Sequence, residues 1–442
     1  MRTILTSALL AIALLAFGQS TEEEPILLTL DDCIKLALDN NIDLKRTKNS
    51  MALAQANKTQ ATMNFLPSAN ASSNLTKSFG SFFDPNSGKY VSQEVNFSNP
   101  NVNLQLSLFN AFYNHHLLHR RDNELDAAVY SVHNSEIQVT AKVLLGYLNV
   151  VLDRENLAVS QRRLELLNSQ LEREEKRESV GVGNMETVYN FRSQVATEKL
   201  TLINQQNKLK IDMLSLIQTL QLREPYKYSI APSEVDLSDE DMVADPFEVV
   251  LDEVLAYSYN IKSAEYSRLA AQNQLKQMKS AVYPSLSLGS NIGTRYSDQL
   301  RGDLASQVKG NHYKQVYLSL NIPIFNNFSA KNRVAQAKVN YLNSELNYQQ
   351  AVLNVTNALQ SDYLDYVTAL TSYHSAVENL DAQHQTFDFV KKRFETGNTD
   401  FYTYLQTLNT KNKAETDLIN AKYSVVFRKK IMELYRGQGP VQ

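Results

Sequence analysis

The feature that most constrains this chain is the near absence of glycine and proline from four long segments. The segments are 101–180, in which Gly146 is the one exception, 184–224, 324–396 and 398–436. Glycine in a helix interior costs about 1 kcal/mol and proline about 3 kcal/mol, so these segments are predicted to be long helices. A helix of roughly 70 residues would be about 105 Å long, which no ordinary globular domain needs.

Apolar residues within these segments recur at the spacing of a coiled coil. One series alternates steps of four and three residues: Leu359, Tyr363, Tyr366, Leu370, Tyr373, Val377 and Leu380. Another recurs every seven residues: Val188, Val195, Leu202, Leu209 and Leu216. Both series predict helices that pack lengthwise against partner helices.

Four short segments instead alternate apolar and polar residues, which is the period of a β-strand with one apolar face. They are 102–108, 286–292, 316–324 and, less regularly, 69–79. Four strands cannot close a membrane barrel, because the smallest single-chain barrels have about eight. Open strand edges are not tolerated in lipid. If these strands lie in a membrane, several chains must share one barrel.

The whole pattern occurs twice along the chain. Corresponding segments are Asn41-Ile42 and Asn260-Ile261, Leu66-Pro67-Ser68 and Tyr283-Pro284-Ser285, Phe109-Asn110-Ala111-Phe112 and Phe325-Asn326-Asn327-Phe328, and Gly181 and Gly397. Each half consists of a helix, a strand, a polar loop, a strand, a very long helix, a glycine turn and a returning helix. We therefore predict a first structural repeat over 19–224, a connector over 225–246 and a second structural repeat over 247–442.

Residues 1–18 have the organisation of a secretory signal peptide. Arg2 precedes an apolar stretch, and Ala16-Phe17-Gly18 offers small residues for cleavage before Gln19. The alternative is a membrane anchor, which the short apolar length and the polar residues that follow disfavour. The mature chain is expected to be exported.

Composition excludes several classes of function. The formal net charge is −3, from 44 basic and 47 acidic residues, so no nucleic-acid-binding surface is indicated. The single cysteine, Cys33, is interpreted as a small buried residue of an N-terminal helix. The motifs of phosphate loops, nucleophile elbows and paired carboxylates do not occur on a plausible scaffold. We predict that the chain is not an enzyme and has neither catalytic residues nor a cofactor.

A cluster of three histidines and a group of aromatic residues each leave two interpretations open. His115 and His119 would share a helix face, as in zinc or nickel sites, but no carboxylate or cysteine completes the set with His116, so no metal site is predicted. The aromatic residues of the first polar loop are Phe79, Phe82, Phe83, Tyr90 and Phe97. They indicate either a plug or girdle at an outer mouth, or a loop folded over its own side chains.

The order and duplication of these segments resemble the TolC family of outer-membrane efflux proteins, over essentially the whole mature sequence. The resemblance is carried by the junctions Leu108-Phe109-Asn110 and Ile324-Phe325-Asn326, by the turns Arg177-Glu178-Ser179-Val180-Gly181 and Arg393-Phe394-Glu395-Thr396-Gly397, and by the closing helix over 421–437. It implies a mainly α fold with a small β part, with long α-helical coiled-coil hairpins and four β-strands per protomer. A homotrimer would then form a twelve-stranded barrel in outer-membrane lipid and a helical tunnel in the periplasm.

The function that this resemblance implies is an outer-membrane channel of a tripartite efflux or type I export system. An inner-membrane transporter and a periplasmic adaptor (membrane fusion protein) would be its partners. The alternative is a secreted or periplasmic coiled-coil structural or adaptor protein. That alternative explains the long helices, but it does not explain the duplicated strand pairs.

The resemblance also indicates candidate site residues at the two glycine turns. The family commonly has an aspartate six residues after the turn glycine, where this chain has Thr187 and Thr403. The candidates for a pore constriction are these threonines and the neighbouring acids, Glu186 and Asp400. The candidates for an adaptor-docking tip are Val180, Gly181, Val182, Gly397 and Asn398. Simpler interpretations are that the glycines only allow a left-handed helix cap and that the acids only stabilise helix N-termini.

Overall fold

The computed structural model describes residues 26–84, 87–224, 227–231, 237, 243–300 and 302–437. The predicted signal peptide, 1–18, lies outside these residues, as does much of the predicted connector, 225–246. The division of the chain into repeats at those boundaries stays a prediction.

The described residues form nine α-helices, and the four segments poor in glycine and proline contain the four longest of them. The helices are α1 (Leu30–Asn40), α2 (Ile42–Met63), α3 (Tyr113–Ser179), α4 (Met185–Thr219), α5 (Phe247–Tyr257), α6 (Tyr259–Ser280), α7 (Leu304–Gly310), α8 (Ser329–Glu395) and α9 (Phe401–Tyr435). At 1.5 Å per residue, α3 and α8 are each about 100 Å long. In the described part of the chain, no helix has both the length and the apolar character needed to cross a membrane.

Helix lengths repeat between the two halves of the chain. The helices α1 and α5 have 11 residues each, α2 and α6 have 22, α3 and α8 have 67, and α4 and α9 have 35. These equal lengths are what the predicted internal duplication implies, and the duplication itself stays a prediction.

Nine β-strands form three sheets within the described residues. They are β1 (Ile26–Leu28), β2 (Ser68–Ser72), β3 (Leu75–Asp84), β4 (Lys89–Ser98), β5 (Asn101–Phe109), β6 (Tyr228–Ile230), β7 (Ser285–Gly293), β8 (Tyr296–Ser297) and β9 (Tyr313–Asn321). The predicted strands form one antiparallel sheet in the order β2-β5-β7-β9. Gly289 lies opposite Tyr317 in this sheet, and a Cβ at Gly289 would lie 2.1 Å from the tyrosine ring. A side chain at position 289 would therefore require the Tyr317 ring to move.

The first polar loop contains structure that the sequence did not predict. The segment 69–79, interpreted as one strand, is divided between β2 and β3. The strands β3 and β4 form a hairpin from the pair Leu75–Ser98 to the pair Asp84–Lys89, and β4 also pairs with β8. Aromatic and polar side chains occupy both faces of this hairpin, so it lacks the one-sided apolar alternation that reveals a strand in sequence.

Contacts divide the chain into two compact units, which we describe separately. The first unit takes in the described residues of 1–45, 135–257 and 356–442. Its main core packs α3 against α4 and α1 around Val143, Val150 and Leu216. Cys33 belongs to this core and is fully buried, which confirms its predicted place. Burial raises the pKa of its thiol to about 12.

The predicted coiled-coil positions in this first unit are buried or half-buried, except for Val377, which is 42% exposed. Leu359, Tyr366 and Leu370 of α8 are buried, as are Val188 and Val195 of α4. Regular burial at these spacings confirms that the long helices pack along partner helices.

The second unit takes in residues 46–134 and 258–355, and it contains the four-stranded sheet. The helices α3 and α6 pack here through stacked tyrosines, with 5.4 Å between the ring centroids of Tyr130 and Tyr266. The Ser263 hydroxyl donates a hydrogen bond to the Ala127 carbonyl at 2.9 Å. These contacts join one helix from each repeat.

The two strand-to-helix junctions share an unusual backbone. Ala111 and Phe112 have φ values of 49° and 65°, and the corresponding Asn327 and Phe328 have 53° and 58°. Two consecutive left-handed residues without a glycine are energetically unfavourable. Their recurrence at matching positions shows that each junction uses the same sharp turn.

Candidate functional site: the tips of the helical hairpins

The first tip joins α3 to α4 through a tight turn. Gly181 has φ of +79°, and its N–H donates to the Glu178 carbonyl at 2.8 Å. The Val182 N–H donates to the Arg177 carbonyl at 3.0 Å. These bonds satisfy the last carbonyls of α3, as in a left-handed helix cap. A Cβ at Gly183 would lie 2.5 Å from the Glu178 nitrogen, so this turn needs a second glycine.

The second tip joins α8 to α9 and repeats the first helix cap. Gly397 has φ of +76°, and its N–H donates to the Phe394 carbonyl at 3.0 Å. The Asn398 N–H donates to the Arg393 carbonyl at 2.8 Å, and the Arg393 guanidinium donates back to the Asn398 carbonyl at 3.1 Å. The capping role considered for the two turn glycines is therefore confirmed, and their docking role stays a prediction.

The returning helices begin with side-chain caps at corresponding positions. Asn184 Oδ1 accepts the Glu186 backbone N–H at 2.9 Å. Asp400 Oδ1 accepts the Thr403 backbone N–H at 2.9 Å, and Asp400 Oδ2 accepts the Thr403 hydroxyl at 2.8 Å. The backbone hydrogen bond, together with the hydroxyl, holds the pKa of Asp400 below its usual value. Asp400 therefore caps α9, whereas the cap of α4 comes from Asn184 and not from Glu186.

Apolar side chains are exposed on both tips. Val180 and Val182 are 72% and 70% exposed, and Tyr402 of α9 is 74% exposed. Thr187 and Thr403 are half-buried, and Glu186 is exposed. Apolar groups this open at the end of a helical hairpin are candidates for contact with another protein.

A cluster of five aromatic side chains lies just behind the tips. It consists of Phe191, Phe387, Phe394, Phe401 and Tyr404. The ring centroids of Phe394 and Tyr404 are 4.7 Å apart and stacked, and those of Phe191 and Phe401 are 4.7 Å apart edge to face. This aromatic cluster joins α4, α8 and α9, and thus both hairpins.

Tyr404 is the most enclosed member of the aromatic cluster. It is 1% exposed, and burial raises its pKa to about 12. Among the described residues, its hydroxyl has no hydrogen-bond partner. The sequence analysis did not identify this cluster, although Phe387, Phe394 and Phe401 recur every seven residues and could have indicated it.

Two arginines of α3 also connect the first hairpin to the second. The Arg173 guanidinium pairs with the Glu395 carboxylate of α8 at 2.7 Å. The Arg163 guanidinium donates to the Asn412 carbonyl and, at 2.8 Å, to the Thr416 hydroxyl of α9. These partners are more than 200 residues apart in sequence, so no local pattern could have predicted them. The two hairpins are therefore joined through apolar and charged contacts.

This combination of long helical hairpins, capped tips and an antiparallel sheet agrees with a known class of proteins. The chain matches the family described as outer membrane efflux protein over residues 33–220 and 250–429. The chain belongs to that family, and is an outer-membrane protein. The family consists of efflux channels and not enzymes. This assignment disfavours the alternative of a coiled-coil structural or adaptor protein.

Individual relatives agree with the family assignment. The chain is 23% identical to the outer membrane protein TolC of Escherichia coli over 285 residues, which are 63% of this chain and 57% of that protein. Its fold is similar to VceC of Vibrio cholerae, with a TM-score of 0.75, 16% identity and coverage of 93% of this chain and 96% of that chain. The CmeC channel of Campylobacter jejuni gives a TM-score of 0.75, 20% identity and coverage of 93% and 86%.

These comparisons differ in how much of each relative they cover. The sequence match spans 57% of the Escherichia coli protein and 47% of an uncharacterized protein of Haemophilus influenzae. The chain thus spans about half the length of these curated relatives. The solved structures, in contrast, match nearly end to end, and at these identities they show the fold.

Proposed function

We propose that the chain is one protomer of a homotrimeric outer-membrane channel, the duct of a tripartite efflux or type I export system. It would pass small molecules from an inner-membrane pump to the exterior. The observation that carries this proposal is the four-stranded sheet. Its outer strands, β2 and β9, each pair on one side only within the described residues.

The topology of this sheet favours closure between copies of the chain. Because all its neighbouring strands are antiparallel, β2 and β9 run in opposite directions. The β9 strand of one copy can therefore pair antiparallel with β2 of the next copy. Three copies of four strands make twelve, an even number, as closed antiparallel membrane barrels require.

The side chains of β9 support a position in lipid. Val316, Leu318 and Leu320 point to one face and are 76%, 62% and 62% exposed. The alternating residues of β9, such as Tyr317 and Ser319, are mostly polar. Apolar side chains on the lipid face and polar side chains on the lumen face are the pattern of a transmembrane barrel strand.

The hairpins supply the remaining parts of the proposed duct. With a length of about 100 Å, α3 and α8 can carry a passage far beyond a hydrocarbon core of about 30 Å. Their tips, at Val180, Gly181, Val182, Gly397 and Asn398, are proposed to dock a periplasmic adaptor. Glu186, Thr187, Asp400 and Thr403 are proposed to line the constriction.

Cross-linking between strand edges tests the proposal. Cys33 is replaced by Ala, one cysteine is placed at Ala71 of β2, and a second is moved through 314, 316, 318 and 320 of β9, which lie on the same face of the sheet as Ala71. We expect covalent trimers at one position of this series, and a mass of about three chains by light scattering. A matched control replaces the β2 cysteine with one at Leu104 of β5, whose two edges are already paired within the chain.

Two results would contradict the proposed trimer. One is a well-behaved monomer with full β-sheet signal in detergent. The other is the absence of intermolecular cross-links at every β9 position while the protein stays folded.

A further inference from the structure

Two histidine side chains face each other near the start of α3, in the second unit. His115 and His119 are one helical turn apart, and both are exposed. Their Nε2 atoms are 3.1 Å apart, and their ring centroids are 4.4 Å apart. The i,i+4 spacing placed them on one face, and the structure now shows that their Nε2 atoms lie side by side.

This separation suits two ligands of a single metal ion. Imidazole nitrogens bind zinc at about 2.0–2.1 Å, so two nitrogens 3.1 Å apart subtend about 100° at such an ion. That angle lies between those of adjacent ligands in square-planar and tetrahedral sites. We propose that His115 and His119 form a bidentate site for a divalent transition-metal ion such as Ni²⁺, Cu²⁺ or Zn²⁺.

The structure indicates an open site with two protein ligands. Among the described residues, no group of three or more His, Cys, Asp or Glu side chains is arranged to hold a metal. The next carboxylates along α3 are engaged elsewhere, because Asp122 pairs with Lys58 at 2.9 Å and Glu124 pairs with Arg120 at 2.7 Å. The remaining coordination positions are therefore left to water or to small ligands. The absence of a third ligand, on which the sequence prediction of no metal site rested, limits affinity but does not prevent binding.

The internal duplication shows that the fold does not need the histidine pair. The residues that correspond to His115 and His119 in the second repeat are Lys331 and Ala335. The Lys331 ammonium lies 5.7 Å from the Phe328 ring, just as the His115 ring packs at 6.4 Å from Phe112. The same junction and the same helix start thus form with and without the pair. This comparison favours a binding role for the histidines over a structural one.

The second repeat also supplies matched substitutions. The double variant His115→Lys with His119→Ala introduces residues that the equivalent turn of α8 already accommodates. His116 is half-buried, and burial, followed by the charges of His115 and Lys276, lowers its pKa. Its counterpart is Asn332, so His116→Asn is the control that leaves the pair intact.

Calorimetric titration of the full chain with NiCl₂ and with ZnCl₂ tests the site. The protein is purified in detergent without a histidine tag. We expect one ion per chain, at least tenfold weaker binding in the His115→Lys, His119→Ala variant, and unchanged binding in His116→Asn. Binding should also weaken at acidic pH, because the metal competes with protons for the imidazoles. Far-ultraviolet circular dichroism checks that each variant is folded.

A variant that gains a second site tests the proposal without relying on a loss of metal binding. Lys331→His with Ala335→His rebuilds the pair at the equivalent turn of α8 and should raise the stoichiometry to two ions per chain. The proposal is wrong if the natural protein binds neither ion at millimolar concentration. In that case, the two imidazoles only share a hydrogen bond. It is also wrong if the His115→Lys, His119→Ala variant binds as tightly as the natural protein. None of these results depends on the trimer.

Discussion

Asp400 holds Thr403 through two hydrogen bonds, one to the backbone N–H at 2.9 Å and one to the hydroxyl at 2.8 Å. Asn184 occupies the corresponding place in the first repeat and caps α4 through its amide oxygen. The two repeats thus perform the same capping with a charged and an uncharged side chain. The cap itself does not need the charge of Asp400.

Because asparagine can cap a helix without a charge, substitutions of Asp400 can distinguish its capping role from a role in the pore. Asp400→Asn should keep the cap, as Asn184 does, and remove the charge, whereas Asp400→Ala should remove both. We expect the double variant Glu186→Gln, Asp400→Asn to lower the cation preference of single channels and to weaken block by trivalent cations. Both substitutions should contribute, because the hydrogen bonds from Thr403 keep the Asp400 carboxylate ionised.

Recordings in planar bilayers measure these effects. Unchanged selectivity in the double variant would leave only the capping role. The lowered pKa of Asp400 also predicts how the stability of the protein depends on pH. It stabilises the folded protein at pH values above the usual pKa of aspartate. That stabilisation is lost as the pH falls through the folded pKa. It should be absent in Asp400→Asn.

A charge on the exposed first tip should abolish adaptor docking. Val182→Asp adds a carboxylate at a side chain that is 70% exposed, without changing a glycine of the turn. We expect loss of export in cells while the trimer and its thermal stability remain. Val243→Asp is the matched control, because Val243 is 74% exposed in a loop outside the tips. Export that survives Val182→Asp would contradict the docking role.

The aromatic cluster allows a stability test within one set of contacts. Phe394 is 8% exposed, and Phe394→Ala should destabilise the protein by about 3–5 kcal/mol, because it removes a packed ring and leaves a cavity. Tyr404→Phe removes a buried hydroxyl without a partner among the described residues, so the change should be neutral or stabilising. Thermal unfolding in detergent measures the stability of both variants. Strong destabilisation by Tyr404→Phe would show that the hydroxyl is bonded in the assembled protein.

A buried carboxylate in the core of the first unit should make stability depend on pH. Asp153 of α3 is fully buried and pairs with Lys208 of α4, which also lies 3.5 Å from Asp212. Burial, together with Asp212, raises the pKa of Asp153 to about 6. A raised carboxyl pKa stabilises the folded state at low pH, and this stabilisation is lost as the pH rises through 6.

Asp153→Asn removes this titration. Between pH 5 and pH 7, we expect the stability of the natural protein relative to the variant to fall by roughly 1 kcal/mol. Thermal unfolding of both proteins at the two pH values measures the difference. A difference that grows as the pH rises would show that the Lys208 ion pair outweighs burial.

Much of the fold was predictable because it rests on local energetics. Glycine and proline destabilise a helix at each position where they occur. The lengths of α3 and α8 can therefore be predicted from the segments that lack both residues. Alternation along β5, β7 and β9 is similarly local. The β3–β4 hairpin was not predictable, because neither of its faces is wholly apolar. Its strands are recognised only by their pairing.

The sequence by itself determined the long helices, the strand pairs, the duplication and the positions of both tips, since each depends on residues close together in the chain. Only the tertiary structure decided which distant side chains meet. Arg173 reaches Glu395 across 222 residues, and the aromatic cluster draws on three helices. Even for His115 and His119, spacing placed them on one face, but the rotamers of the folded helix brought their nitrogens to 3.1 Å. Such distances depend on packing around each side chain, which no local pattern contains.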